Sequence, residues 1–243
     1  MHKHPALGQT YLIAEIHPQF SGDMTRAKTI IQQCKLGGAD AVKVQLYDSK
    51  VLFGDELRSY VQIEKDELQE LKQYCDNLGI DLSASIFTAN RVLWCEDLGF
   101  KYYKIASRTV EEDPALCAQI FETGKPVLIS LGMWDWQTKG VPFDNEQAVY
   151  FYCVSKYPTP ASEVVMPDFP NSIFQGYSDH TVGVGACAFA LARGATYIEK
   201  HFSLNKTFHV PTEMGHAGSM DLDDLRQLRY YADTFSLLQS NLG

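Results

Sequence analysis

Short runs of β-branched, aromatic and small apolar residues recur eight times along the chain, and most are followed by a stretch with helical periodicity. Strands are expected at about 10 to 17, 41 to 47, 81 to 87, 102 to 107, 126 to 132, 148 to 155, 173 to 180 and 197 to 204. Helices fit at about 22 to 37, 65 to 79, 89 to 99, 113 to 123, 183 to 194 and 221 to 241. Several close on a glycine in the manner of a C-cap: Gly37, Gly79, Gly99, Gly124 and Gly194. A strand reached through a crossover helix lies parallel to its predecessor, so the alternation dictates a parallel sheet clothed in helices. Eight is the number at which such a sheet closes, and 243 residues is an ordinary length for the result. The expectation is an α/β fold, a (β/α)8 TIM barrel forming a single domain over residues 1–243. Two connections break the rhythm. Residues 133 to 147, with Trp134, Trp136, Gly140 and Pro142, lack helical periodicity, so the helix after strand 5 is expected to be shortened or missing. Pro158, Pro160, Pro167 and Pro170 leave room for little more than one turn after strand 6.

Composition narrows function by exclusion. With 45% hydrophobic and 21% charged residues the chain can build a sizeable core, yet it has no apolar run long enough for a bilayer. Residues 1 to 7 do not lead into the apolar part of a secretory signal, so the expected location is cytoplasmic, with no membrane partner. A formal charge of −9 argues against nucleic acid as a partner. An anionic ligand would therefore need positive charge gathered in a pocket. The six cysteines are scattered, with no Cys-x-x-Cys pair, and read as buried thiols.

Strand parity locates the chemistry, because alternate side chains point to opposite sides of a sheet. Leu12, Ala14 and Ile16, then Val42, Val44 and Leu46, then Leu82, Ala84 and Ile86 suit contact with helices. The opposite sets face the barrel axis: Glu15, Lys43, Gln45, Ser83, Ser85, Lys104, Ser178, His180, Glu199 and His201. Isolated charges there would cost several kcal/mol each, so they must be paired, hydrated or ligand-bound. A purely internal salt-bridge network of Glu15 or Glu199 with Lys43 or Lys104 is the plain alternative to a binding site. His180 and His201 end the last two strands and share one rim, which makes them candidate metal ligands or, more simply, two bracing histidines. Two lysines, several hydroxyls and a metal pair fit a small polyanion carrying phosphate and carboxylate.

The segments Ile13-Ala14-Glu15-Ile16, Gly38 to Gln45, Tyr103-Lys104-Ile105-Ala106-Ser107, Gly124-Lys125-Pro126-Val127, Tyr157-Pro158-Thr159-Pro160, Gly176 to Thr181 and Ile198 to Phe202 stand in the order of the motifs of the sialic acid synthase family. The chain resembles that family over roughly residues 10 to 240. The resemblance implies a barrel that condenses phosphoenolpyruvate with a sugar aldehyde, giving an α-keto sugar acid and phosphate. It implies a divalent metal cofactor, manganese first, with magnesium or cobalt as alternatives, and a homodimer as a possible assembly. By position, His180 and His201 would be the metal ligands. Lys43, Ser85, Lys104, Ser107, Ser155 and Ser178 would hold phosphoenolpyruvate, and Glu15, Gln45 and Tyr157 would stand near the sugar and the reacting carbons.

The departures lie on the sugar side. Arg108-Thr109 stands where the family has Gly and an acidic residue, His17-Pro18-Gln19-Phe20 replaces Gly-x-Asn-His, and Val210-Pro211-Thr212-Glu213 replaces Gly-Pro-Asp in a lengthened loop, 205 to 220. Arg108 is expected to add positive charge at the mouth as a substrate-binding residue, with a solvated surface arginine as the alternative. His209, Glu213 and His216 read as loop polar residues rather than further ligands. The family's C-terminal antifreeze-like domain is expected to be absent. The reading is a synthase with a rebuilt acceptor side. A metal-dependent aldolase acting on a keto-acid sugar and a non-catalytic ligand-binding barrel stand as alternatives.

Overall fold

The structure, a computed structural model, describes residues 10–241, so the segment 1 to 7 read for a signal lies outside the described residues. Eight parallel strands close into a barrel in sequence order: β1 (Tyr11–Glu15), β2 (Ala41–Leu46), β3 (Asp81–Ile86), β4 (Tyr103–Ile105), β5 (Val127–Ser130), β6 (Ala148–Cys153), β7 (Phe174–Asp179) and β8 (Tyr197–His201). Around them run α1 (Met24–Gly37), α2 (Ser49–Phe53), α3 (Lys65–Leu78), α4 (Ala89–Asp97), α5 (Ser107–Glu112), α6 (Pro114–Glu122), α7 (Trp136–Lys139), α8 (Gly185–Ala192) and α9 (Leu222–Ser240). The construction of α1 is representative. Asp23 accepts from the Thr25 and Arg26 N–H groups at its start, Ala27, Ile30, Ile31 and Cys34 fall on one buried face, and Gly38 ends it at φ 90°.

The barrel is the one expected, including the helix after β5, which shrinks to the four residues of α7. After β6 only two short 3-10 turns form, at Ala161–Glu163 and Phe169–Asn171. The strand ends need correction. The fourth strand, expected to reach residue 107, stops at Ile105, and Ser107 and Arg108 open α5 instead. The sixth stops at Cys153, leaving Ser155 and Tyr157 on the loop beyond. Ladder hydrogen bonds end where a neighbour runs out, and β4 pairs with β3 only through Ser85 and Lys104. The short helices α2 and α5 escaped the sequence reading because five or six residues carry too little periodicity.

The outward sets of β1, β2 and β3 pack into the helix-facing core as expected. The inward set is polar only in its upper half, which corrects the expectation of a polar axis. Below, Tyr11, Ile13, Ala41, Tyr102, Leu128, Val149, Phe151 and Tyr197 form a separate buried cluster, and the Tyr11 hydroxyl donates to Asp81 at 2.8 Å. A barrel must be filled to be stable, and aromatic side chains fill this one. Gly176 makes the room, since a Cβ there would stand 2.8 Å from the Phe151 ring.

Candidate active site

Register carries the polar residues to one level. Glu15 lies beside Lys43 on one side and His201 on the other, Gln45 beside Ser85, Ser85 beside Lys104, and Ser178 beside Glu199. They line a cavity of about 350 Å³ at the C-terminal end of the strands, above the aromatic plug. Every residue assigned a role from sequence lines it: Glu15, Lys43, Gln45, Ser85, Lys104, Ser107, Arg108, Ser155, Tyr157, Ser178, His180 and His201.

The floor is a chain of alternating charge. The Lys43 ammonium meets the Glu15 carboxylate, lies 3.6 Å from Glu199, and donates to Ser85 at 2.9 Å. Lys104 lies 3.8 Å from Glu199 and donates to Ser130, whose hydroxyl is 2.8 Å from that of Ser178. Ser178 in turn donates to Glu199 at 3.2 Å. The internal network and the cavity lining are therefore the same residues, and the two lysines are balanced by two carboxylates. Burial pushes the Glu15 carboxyl up against the pull of Lys43. Burial would raise Glu199 as well, but Lys104 and Lys43 outweigh it and hold that group down. Burial lowers Lys104, whereas at Lys43 the carboxylates outweigh burial and raise it. Two carboxyls pushed in opposite directions can hold different protonation states at one pH. Glu15 Oε2 faces the Lys43 ammonium, whereas Glu199 Oε2 has no hydrogen-bond partner among the described residues.

The imidazoles of His180 and His201 meet at the rim, 5.8 Å between ring centres, and the Tyr157 ring lies 4.2 Å from the first and 6.0 Å from the second. Their tautomers follow from their partners. His180 Nδ1 lies 2.8 Å from the Val154 carbonyl, which can only accept, so Nδ1 carries the proton. His201 Nδ1 lies 3.1 Å from Gln19 Oε1, and the Gln19 amide is oriented by its own donation to the Met214 carbonyl. On both rings Nε2 is left as the lone-pair nitrogen, the arrangement that prepares an imidazole for a metal. Enclosure holds His180 down at about 4 and lowers His201 well below its ordinary value, so both rings are neutral at physiological pH. Among the described residues no cluster of three or more His, Cys, Asp or Glu is arranged as a metal cage. The two imidazole nitrogens could together hold a divalent ion.

The loop 205 to 220 backs this rim. A Cβ at Gly218 would stand 2.7 Å from the His180 carbonyl, so backbone passes directly behind that histidine. Glu213 and His216 are buried there, Glu213 accepting from Ser21 and Tyr60 at 2.7 Å each and His216 lying 2.7 Å from the Ser203 hydroxyl. They tie the loop down, while His209 is exposed. Arg108 lines the mouth, but its Nε donates to Glu112 at 2.6 Å, so the extra positive charge expected of it is spent locally. Ser107 opens α5 and accepts from the Gly132 N–H at 2.9 Å. Sequence reasoning missed Ser130, whose inward parity with Leu128 on β5 was the available signal, and Gln19, a contact spanning 182 positions that left none.

The NeuB family model matches residues 30–241. The N,N'-diacetyllegionaminic acid synthase of Legionella pneumophila is 29% identical over 254 residues, covering 90% of this chain and 70% of that protein. The N-acetylneuraminate-9-phosphate synthase of Homo sapiens is 27% identical, covering 90% and 68%. The crystal structure of the sialic acid synthetase of Leptospira borgpetersenii in complex with citrate superposes with a TM-score of 0.83 at 24% identity, over 95% of this chain and 85% of that one. No helix among the described residues is long and apolar enough to cross a membrane. With its closed barrel and its site at the strand ends, the chain belongs to the NeuB family, the sialic acid synthases, and is a carbon–carbon bond-forming enzyme.

Proposed function

We propose that the chain joins phosphoenolpyruvate to a sugar aldehyde, with water, to give an α-keto sugar acid and inorganic phosphate. The observation that carries this reading is the meeting of Lys43 and Lys104 with the paired His180 and His201 around one cavity. Lys43 and Lys104 supply compact charge for phosphate and carboxylate, and Ser85, Ser130 and Ser178 supply directed donors. Ser107 and Ser155 extend that clamp toward the mouth. Holding two substrates together contributes on the order of 7–11 kcal/mol to lowering the barrier, so the clamp matters as much as any acid or base.

C3 of phosphoenolpyruvate forms the new bond to the aldehyde carbon, and the aldehyde oxygen takes up a proton. Water adds at C2, and phosphate leaves with cleavage of its C–O bond. Glu15, with Oε1 fixed by the His17 N–H at 2.8 Å, Oε2 against the Lys43 ammonium and its carboxyl raised, is placed to hold or pass a proton beside Lys43. Glu199, held ionised, balances the cationic floor. Gln45 and Tyr157 border the acceptor side, where the Tyr157 ring packs beside both histidines. A divalent ion, manganese first, fits Nε2 of His180 and His201 and would polarise the aldehyde carbonyl.

Incubation with phosphoenolpyruvate, Mn²⁺ and a panel of aldoses is expected to release phosphate only when an acceptor is present. His180→Ala should reduce the rate at least about 100-fold. Absence of phosphate release with every acceptor, together with no measurable phosphoenolpyruvate binding, rejects the reading.

A further inference from the structure

A second hollow of about 220 Å³ adjoins the main cavity and shares Gln45, Phe53, Tyr157 and His201 with it. Its further wall is Arg58 and Tyr47, with Pro211 and Thr212 of the 205 to 220 loop. Most cations lining the two spaces are spoken for. Lys43, Lys104 and Lys200 stand on carboxylates, and Arg108 is taken by Glu112. Arg58 is the exception, with no carboxylate within 4.0 Å among the described residues. Glu213, on the same loop as Pro211, has its two oxygens engaged by Tyr60 and Ser21.

The guanidinium is nevertheless held in place. Its carbon lies 4.3 Å over the Phe53 ring, and Nη2 donates to the Pro211 carbonyl at 3.4 Å. Stacking on a ring fixes the plane of a guanidinium and leaves N–H groups at its edge for an oxyanion. The charge sits beyond His201 and Tyr157, on the side away from the lysine clamp. A ligand reaching it from the reacting centre would cross from one hollow into the other.

We infer that Arg58 recognises an anionic group, phosphoryl or carboxylate, carried by the acceptor sugar at the end remote from its aldehyde. The inference rests on the synthase reading above, and its test is separable from that reading because binding needs no turnover. The full chain with Mn²⁺ would be titrated calorimetrically with a hexose 6-phosphate, the matching hexuronate and the neutral hexose. At least one anionic sugar is expected to bind about tenfold or more tighter than the neutral one, and the two anionic arms distinguish phosphate from carboxylate. Arg58→Ala should abolish that preference while leaving phosphoenolpyruvate affinity within about twofold, and Arg58→Lys should retain part of it. Equal affinities for all three sugars in the wild type overturn the assignment. So does an Arg58→Ala variant that weakens neutral and anionic sugars alike, the mark of a residue that only braces Phe53 and the loop. Failure of every sugar to release phosphate would reject the reaction, and the binding preference would still decide Arg58.

Discussion

The structure buries His17 against Tyr47, with Nε2 3.0 Å from that hydroxyl. Burial, aided by the Lys43 charge, moves its pKa from 6.5 to about 3. An unfolded chain takes up a proton on this ring below pH 6.5 and the folded one does not until about 3. The stability it contributes is therefore complete above that window and falls as the pH drops through it. The loss attributable to His17 is on the order of 3 kcal/mol by about pH 4. The slope of denaturant-measured stability against pH should flatten in His17→Asn; an unchanged slope would show that the ring is not the source. Gln19 touches the rim through His201 Nδ1. Gln19→Ala should weaken Mn²⁺ binding by about 10-fold or more while moving stability by less than about 1 kcal/mol, measured by titration and by urea unfolding. Equal Mn²⁺ affinity in variant and wild type would remove Gln19 from the site.

At the scale of elements, the histidine pair depends on where β7 and β8 end. Asp179 and Lys200 point to the other side of the barrel wall from Ser178 and Glu199, and pair at 2.6 Å with both side chains fully buried. Asp179 also accepts from the Thr181 N–H at 2.9 Å, and Lys200 donates to the Thr181 carbonyl at 2.7 Å, so the pair staples both strands to the turn beyond His180. Removing one partner leaves a buried unpaired charge. Asp179→Asn should cost about 3–5 kcal/mol of unfolding free energy, and the double change Asp179→Leu with Lys200→Met should recover much of it. A single variant as stable as wild type would show that the pair is not an obligatory lock. The six-residue α5 illustrates what sequence conceals at this scale. Ser107 reads as a strand end, yet β4 runs out of neighbours to pair with and the chain turns helical at Ser107 and Arg108.

For the whole molecule, the barrel interior divides into an apolar lower half and an upper half that lines the candidate site. Leu128 in the aromatic plug is fully buried below the charged floor. Leu128→Ala should cost roughly 2–5 kcal/mol by thermal or urea unfolding while leaving the KM for phosphoenolpyruvate unchanged; a large KM effect would mean that the halves are coupled. Strand periodicity alone determined the closed parallel barrel, the shortened helix after β5 and the inward parity of Lys43, Lys104, His180 and His201. Those features follow from backbone geometry, which repeats every two residues and is visible in one dimension. Only the tertiary structure decided that the lysines are balanced by Glu15 and Glu199, that Arg108 is spent on Glu112, that Gln19 fixes the His201 tautomer and that Arg58 has no carboxylate within 4.0 Å among the described residues. Pairing of charges depends on distances across the barrel mouth between residues far apart in the chain, and no local pattern encodes those distances.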